Sequence, residues 1–231
     1  MTTADSSLRR RDAVATFVLL GLVLLWDASR LDLPLARLAG GGQGFPWRDH
    51  WLLTAVLHDG ARVLAFAASA WLVLGIWWPT GPLRNVSRTA RLQWLASLVL
   101  AVLLVNALKH ASRTSCPWDL ADFGGTAAYV PHWAWAAAGS GPGHCFPAGH
   151  ASAGFGFIGG FFALRAHAPR VARLCLWFSL AAGLLLGGAQ QLRGAHFMSH
   201  TLWTGWLSWA CAAALAALAT RQAGRRAGAA A

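Results

Sequence analysis

The residues best suited to chemistry lie in three separated segments. Lys109 is the only lysine of the 231 residues, and Arg113 follows it at i+4. His150 closes the run Phe146-Pro147-Ala148-Gly149-His150, and Arg193, His196 and His200 follow at spacings of three and four. Positive charge next to imidazole suits phosphoryl transfer. A phosphate needs fixed cations and amide donors, which Lys109, Arg113, Arg193 and a helix start at Gly149-His150 supply. Glycine at 149 lets the backbone come close to an anion. A neutral imidazole can attack phosphorus while a second, protonated imidazole donates to the leaving oxygen. His196 and His150, on separate helices, meet that need without a metal.

The elements that must hold these groups are legible in the composition. Apolar residues make up 56% of the chain and charged residues 12%, against about 25% charged in a soluble domain. That is too little charge for a water-facing surface and too much apolar content for disorder. The net charge of +11, with eight aspartates and no glutamate, would suit a nucleic-acid binder only without the long apolar runs. An integral membrane protein remains, with one domain at this length. A crossing takes roughly 20 apolar residues, within about 17–25. Six stretches come near: Ala13–Ala28, Ala61–Trp78, Leu92–Leu108, His150–Leu164, Leu174–Leu192 and Thr201–Ala219. Because lipid satisfies no backbone polar group, such runs must be helices. The expected fold is an all-α, six-helix membrane bundle over residues 13–219, with short flanks at 1–12 and 220–231. Arg9-Arg10-Arg11 before the first run would also suit a cleaved signal, but no small-residue cleavage site follows, so a retained helix is expected.

Charge splits the connections into two sets. Arg9–Arg11 form a basic run, and the segments with Arg84, Arg88 and Arg91, with Arg165, Arg170 and Arg173, and with Arg221, Arg225 and Arg226 have arginine as their only charged residue. The segments 27–60 and 109–149 mix signs. The positive-inside rule puts the arginine set and both termini in the cytoplasm, with loops 27–60, 109–149 and 193–200 outside. Topology and attraction to anionic lipid together explain much of the basic charge. Trp26, Trp51, Trp77, Trp78, Trp133 and Trp135 fall where interfacial anchors belong. Gly40-Gly41-Gly42-Gln43-Gly44 is a turn without the Lys and Ser/Thr of a phosphate loop, and the tail 223–231 reads as frayed.

Three stretches carry a family likeness: Lys109 through Cys116-Pro117, Pro147-Ala148-Gly149-His150, and Gln190 through His196 to His200. In order and spacing they resemble the type 2 phosphatidic acid phosphatase superfamily, whose signature is K-x6-R-P, P-S-G-H and S-R-x5-H-x3-D. The likeness spans residues 92–206. It implies six helices with the site at one membrane face, His196 as the nucleophile forming a phosphohistidine, and His150 as general acid. It further implies that Lys109 and the Gly149 amide hold the phosphate, with no cofactor. The implied setting is a bacterial inner membrane with the site facing the periplasm. The implied substrate is a phosphorylated lipid, of the undecaprenyl diphosphate, phosphatidylglycerol phosphate, phosphatidic acid or lipid A 1-phosphate type. Neither nucleic acid nor an obligate protein partner is expected.

The chain departs from that signature at several positions. Cys116 and Gln190 replace arginines, Ala148 replaces serine, and His200 replaces aspartate. Arg113 compensates if the third helix continues past Lys109, since i and i+4 share a face. Arg193 lies one turn beyond Gln190. His200 can accept the ring N–H of His196, with Asp119 or Asp122 as alternative orienting groups.

Cys116 and Cys145 share the loop between the third and fourth runs, where an oxidising compartment permits a disulfide, subject to geometry. Cys175 and Cys211 are expected as buried thiols. His196-x3-His200 also has the spacing of two metal ligands, which His144 or His150 would complete. Three other functions compete with a phosphatase. One is a lipid-to-lipid phosphotransferase, and one a carrier of anionic headgroups. The third is a quinone-linked thiol oxidoreductase using Cys116 and Cys145, although no C-x-x-C is present. His50, His58, His110, His132 and His167 receive no role, and Asn106 reads as a helix–helix hydrogen bond.

Overall fold

The computed structural model describes residues 3–134 and 141–229; Trp135, Ala230 and Ala231 lie outside the described residues. Helix α1 covers Thr3–Ser29 and the short α2 Asp32–Arg37. A π-helical stretch, Leu52–Gly60, runs directly into α3, Ala61–Leu74. Then come α4, Arg88–Ala111, and α5, Ser152–Leu164, whose middle tightens to a 3-10 turn at Gly156–Ile158. Helices α6, Pro169–Leu192, and α7, Met198–Ala229, complete the bundle. Among the described residues the only β pairing is two isolated bridges.

Five helical spans are long and apolar enough to cross a bilayer: Ser6–Ser29, Leu52–Leu74, Arg88–Ala111, Pro169–Leu192 and Met198–Gln222. The sixth expected crossing, α5, is shorter than these, at Ser152–Leu164. Its glycines explain the shape. A Cβ at Gly154 would overlap the backbone of Gly183 on α6, and one at Gly160 would collide with Trp94 of α4. Small residues let α5 lie against its neighbours' backbones, the usual device where lipid gives no hydrophobic drive for helix association. The outward apolar residues belong to the peripheral helices, with Phe17, Leu64 and Phe178 at least 72% exposed.

Several boundaries differ from the sequence expectation. The second long helix begins at Leu52 rather than Ala61 and ends at Leu74 rather than Trp78, so His58 and Asp59 are helical, not loop. The last helix continues to Ala229 instead of fraying at 223. Asn106 donates to Val102 O of its own helix at 2.9 Å, so it is not an interhelical bond. Cys211 is buried as expected, whereas Cys175 is half-buried.

An ion pair at one end and a hydrogen bond at the other tie the N-terminal helix to the rest. Arg165, just after α5, makes two bonds of 2.7 and 2.6 Å to Asp12. At the other end of α1, Asp27 accepts from Trp203 Nε1 of α7 at 2.9 Å.

Candidate active site

Backbone caps place the third segment. Helix α6 ends in a Schellman turn: Ala195 N–H donates to Gln190 O at 2.8 Å and Gly194 N–H to Gln191 O at 2.9 Å. The C′ residue of such a turn takes the left-handed conformation, which favours glycine, and Gly194 has φ +74°. That turn delivers His196 to the start of α7. The first turn of α7 is held by a carboxylate from elsewhere in the chain. Asp32 Oδ1 accepts from Ser199 N–H at 3.0 Å, and its other oxygen accepts from the Ser199 hydroxyl. A negative charge at a helix N-terminus meets otherwise unpaired amides and the positive end of the dipole.

The second segment is clamped onto α7. Ala148 N–H donates to His200 O at 3.2 Å, and the Thr204 hydroxyl donates to Ala148 O at 3.0 Å. Ala148 is fully buried. Gly149 and His150 therefore sit beside the His196 turn at the foot of α5. Ser152 donates from its backbone and its hydroxyl to Gly149 O. Among the described residues the amides of Gly149 and His150 donate to no backbone carbonyl, leaving them available to an anion. Lys109, in the last turn of α4, brings its ammonium against Gly149, 3.6 Å from where a Cβ would stand.

A cavity of about 350 Å³ is lined by Lys109, Gly149 and His150, and also by His58, Arg62 and Asn106. A neighbouring, mostly apolar cavity of about 500 Å³ is lined by His196, and Leu57 borders both. His196 is only 4% exposed. Burial first, then the charges of Lys109 and His150, lowers its pKa to about 3, so it is a neutral imidazole at physiological pH. His150, in the loop before α5, is lowered to about 4, chiefly by burial and then by His58, Lys109, Arg193 and Arg62.

The expected residues fall into two groups. Lys109, Gly149, His150 and His196 come together at one end of the bundle. Arg193 is close enough for its charge to act on His150. Its Nε donates to Arg48 O at 2.8 Å and its Nη1 to Gln190 Oε1 at 3.2 Å, which leaves its remaining N–H groups for a ligand. Arg113 does not fit. Helix α4 stops at Ala111 and Ser112 is extended, so the i+4 relation to Lys109 fails; Arg113 is exposed and borders neither cavity.

His200 Nδ1 is 3.5 Å from His196 Nδ1, at the limit of a hydrogen bond. Asp122 is instead paired with Arg37 at 2.7 Å near the surface. One carboxylate, Asp27, is linked to His200 through His132. The His132 ring meets His200 edge-on with centroids 5.9 Å apart, and its Nε2 lies 3.3 Å from Asp27 Oδ2.

Cys116 and Cys145 form a disulfide with Cα atoms 5.1 Å apart. It locks the pairing in which His144 N–H donates to Ser112 O and Cys145 N–H to Thr114 O, tying the end of α4 to the loop that carries His150. Cys145 has no exposed surface, which disfavours exchange with a quinone. A Cys145–His196–His200 group has metal-like proximity, its ligand atoms lying within 4.8 Å of one another. The disulfide takes the sulfur out of that set, and neither His144 nor His150 belongs to it.

Three residues were passed over in the sequence: His58, Arg62 and His132. The His58 ring lies on the His150 ring with centroids 3.8 Å apart, and its Nδ1 pairs with Asp59 at 2.8 Å. The available signal was a charged pair, Asp59 and Arg62, beside an apolar run.

A family model for the PAP2 superfamily matches residues 90–223. Comparison with curated proteins and with solved structures gives no match.

Proposed function

The chain belongs to the PAP2 superfamily, whose members are in general phosphatases, and on that premise we propose that it is a membrane phosphatase removing phosphate from a phosphorylated lipid. The phosphate is bound by Lys109, the Gly149 and His150 amides and Arg193. His196 attacks in line and the lipid oxygen leaves with a proton from His150. Water then opens the phosphohistidine with His150 as base, which balances the protons over the cycle. The observation that carries this reading is the double clamp on Ala148, which fastens the Gly149-His150 amides beside the neutral His196 and within reach of Lys109.

The surrounding positive charge disfavours a proton on His150 before substrate binds. A phosphate dianion offsets Lys109, Arg62 and Arg193, so proton affinity at His150 rises as the substrate enters. His200 accepts from or donates to His196 and fixes its ring. We place the six-crossing topology, both termini cytoplasmic and the site at the periplasmic face of a bacterial inner membrane, in the same proposal. Its supports are the one-ended gathering of the site and the arginine-only connections at the opposite end.

The test is phosphate release by the purified protein in detergent, with EDTA present, from the four lipid types named above. Wild-type release that falls at least about a thousandfold in His196→Ala supports the reading, since loss of a nucleophile removes the covalent route. Release that survives in the variant, or that EDTA abolishes, contradicts it.

A further inference from the structure

Helix α3 faces lipid with Val63, Leu64 and Phe66, each at least 64% exposed. Arg62 interrupts that apolar surface, ten residues into the helical run that starts at Leu52. An arginine at such a depth is costly in hydrocarbon and by default faces a polar interior or a water-filled path. Here the available polar interior is the cavity lined by Lys109, Gly149 and His150, which Arg62 also lines. The nearby acid, Asp59, accepts from His58 Nδ1 at 2.8 Å, and the His58 ring covers the His150 ring. The π-helical stretch Leu52–Gly60 shifts the register that brings His58 to this position, and such irregular turns are frequent at functional sites.

Two arginines are missing from the family signature, at Cys116 and Gln190. Arg193 stands beside Gln190, bonded to it. Nothing in the chain's own first segment replaces the guanidinium at Cys116, since Arg113 lies off the cavity.

We propose that Arg62 of α3 contacts the substrate phosphate, supplying from a different helix the guanidinium that Cys116 displaces. A planar guanidinium can take two phosphate oxygens at once while Lys109 takes a third as a point charge. The inference rests on the phosphatase reading for its ligand, inorganic or ester phosphate, and adds to it a residue outside the matched segment.

The experiment measures binding of inorganic phosphate to the full chain in detergent by calorimetry, so catalysis is not required. Wild type is compared with Arg62→Ala, Arg62→Gln, Arg62→Lys, Lys109→Ala and the surface control Arg37→Ala. A lost charge-assisted hydrogen bond weakens binding by about 10–100-fold. The expected result is that loss in Arg62→Ala and Arg62→Gln, partial recovery in Arg62→Lys, and no change in Arg37→Ala. If Lys109→Ala weakens phosphate binding while the Arg62 variants bind as wild type does, the role of Arg62 is overturned and the phosphatase reading survives. If wild type binds no phosphate, both fall.

Discussion

Helices α4 to α7 and helices α1 to α3 reach the same end of the molecule by different means. The C-terminal helices hold Lys109, Gly149, His150 and His196 through backbone geometry: a Schellman turn at Gly194, the bonds on both sides of Ala148, and the disulfide at Cys145. The N-terminal part contributes mostly side chains, with the Arg48 carbonyl that holds Arg193 as a backbone exception. Asp32 caps α7, Asp27 backs His132 and Trp203, and His58 and Arg62 close the cavity wall. Geometry held by the backbone tolerates side-chain change poorly at a few glycines and caps and well elsewhere. Geometry held by side chains can be moved from one helix to another. That difference explains how the chain can depart from its family's arginines and aspartate while keeping the lysine and two histidines.

Four tests probe this division, in falling order of effect. His150→Ala removes a general acid, so kcat should fall by about 100- to 10,000-fold, with the smallest loss for esters whose leaving group needs no proton; equal losses for good and poor leaving groups would break the assignment. Arg193→Ala should weaken kcat/KM by about 10–100-fold, while Arg113→Ala, exposed and off the cavity, stays within about threefold; steady-state kinetics of the two variants side by side decide the point.

The third test is the pH dependence of phosphoenzyme formation. Because the His196 pKa is lowered to about 3, the imidazole stays neutral as pH falls through 6.5 and is lost as a nucleophile only near 3. An ordinary histidine would be about 30-fold depleted in its neutral form at pH 5; an acid limb near 6.5 assigned to His196 would contradict its burial. Asp32→Ala should cost about 1–2 kcal/mol of thermal stability in detergent by uncapping α7. It should reduce kcat only modestly, a split read from melting curves and turnover together.

Much of the C-terminal arrangement was legible in the sequence because its signals are local. Lys109, His150 and His196 follow recognisable spacings. The disulfide was legible from two cysteines in one loop. The N-terminal contribution was not. His58 and Asp59 interrupt the apolar pattern, and a π-helical stretch does not keep the 3.6-residue period by which a helix start is judged. Arg62 then vanished into the run that begins at Ala61. Arg113 fails for a related reason: its role depended on α4 continuing past Lys109, nothing between Lys109 and Arg113 marks a stop, and the chain turns extended at Ser112 so that Ser112 and Thr114 can pair with His144 and Cys145. Asp27 and Asp32 serve α7 across a long sequence separation, and no local pattern announces such a contact.

The most direct test of the account is to trap the phosphoryl group on the protein. Wild type and the His150→Ala and His196→Ala variants would be mixed with a radiolabelled aryl phosphate ester, quenched in alkali, and digested for peptide mapping. The account predicts a base-stable, acid-labile label on the peptide containing His196, prolonged in His150→Ala because water is no longer activated, and absent in His196→Ala. Label on another residue, or ester hydrolysis by wild type at full rate with no labelled intermediate in either of the two histidine-196-containing proteins, would contradict it.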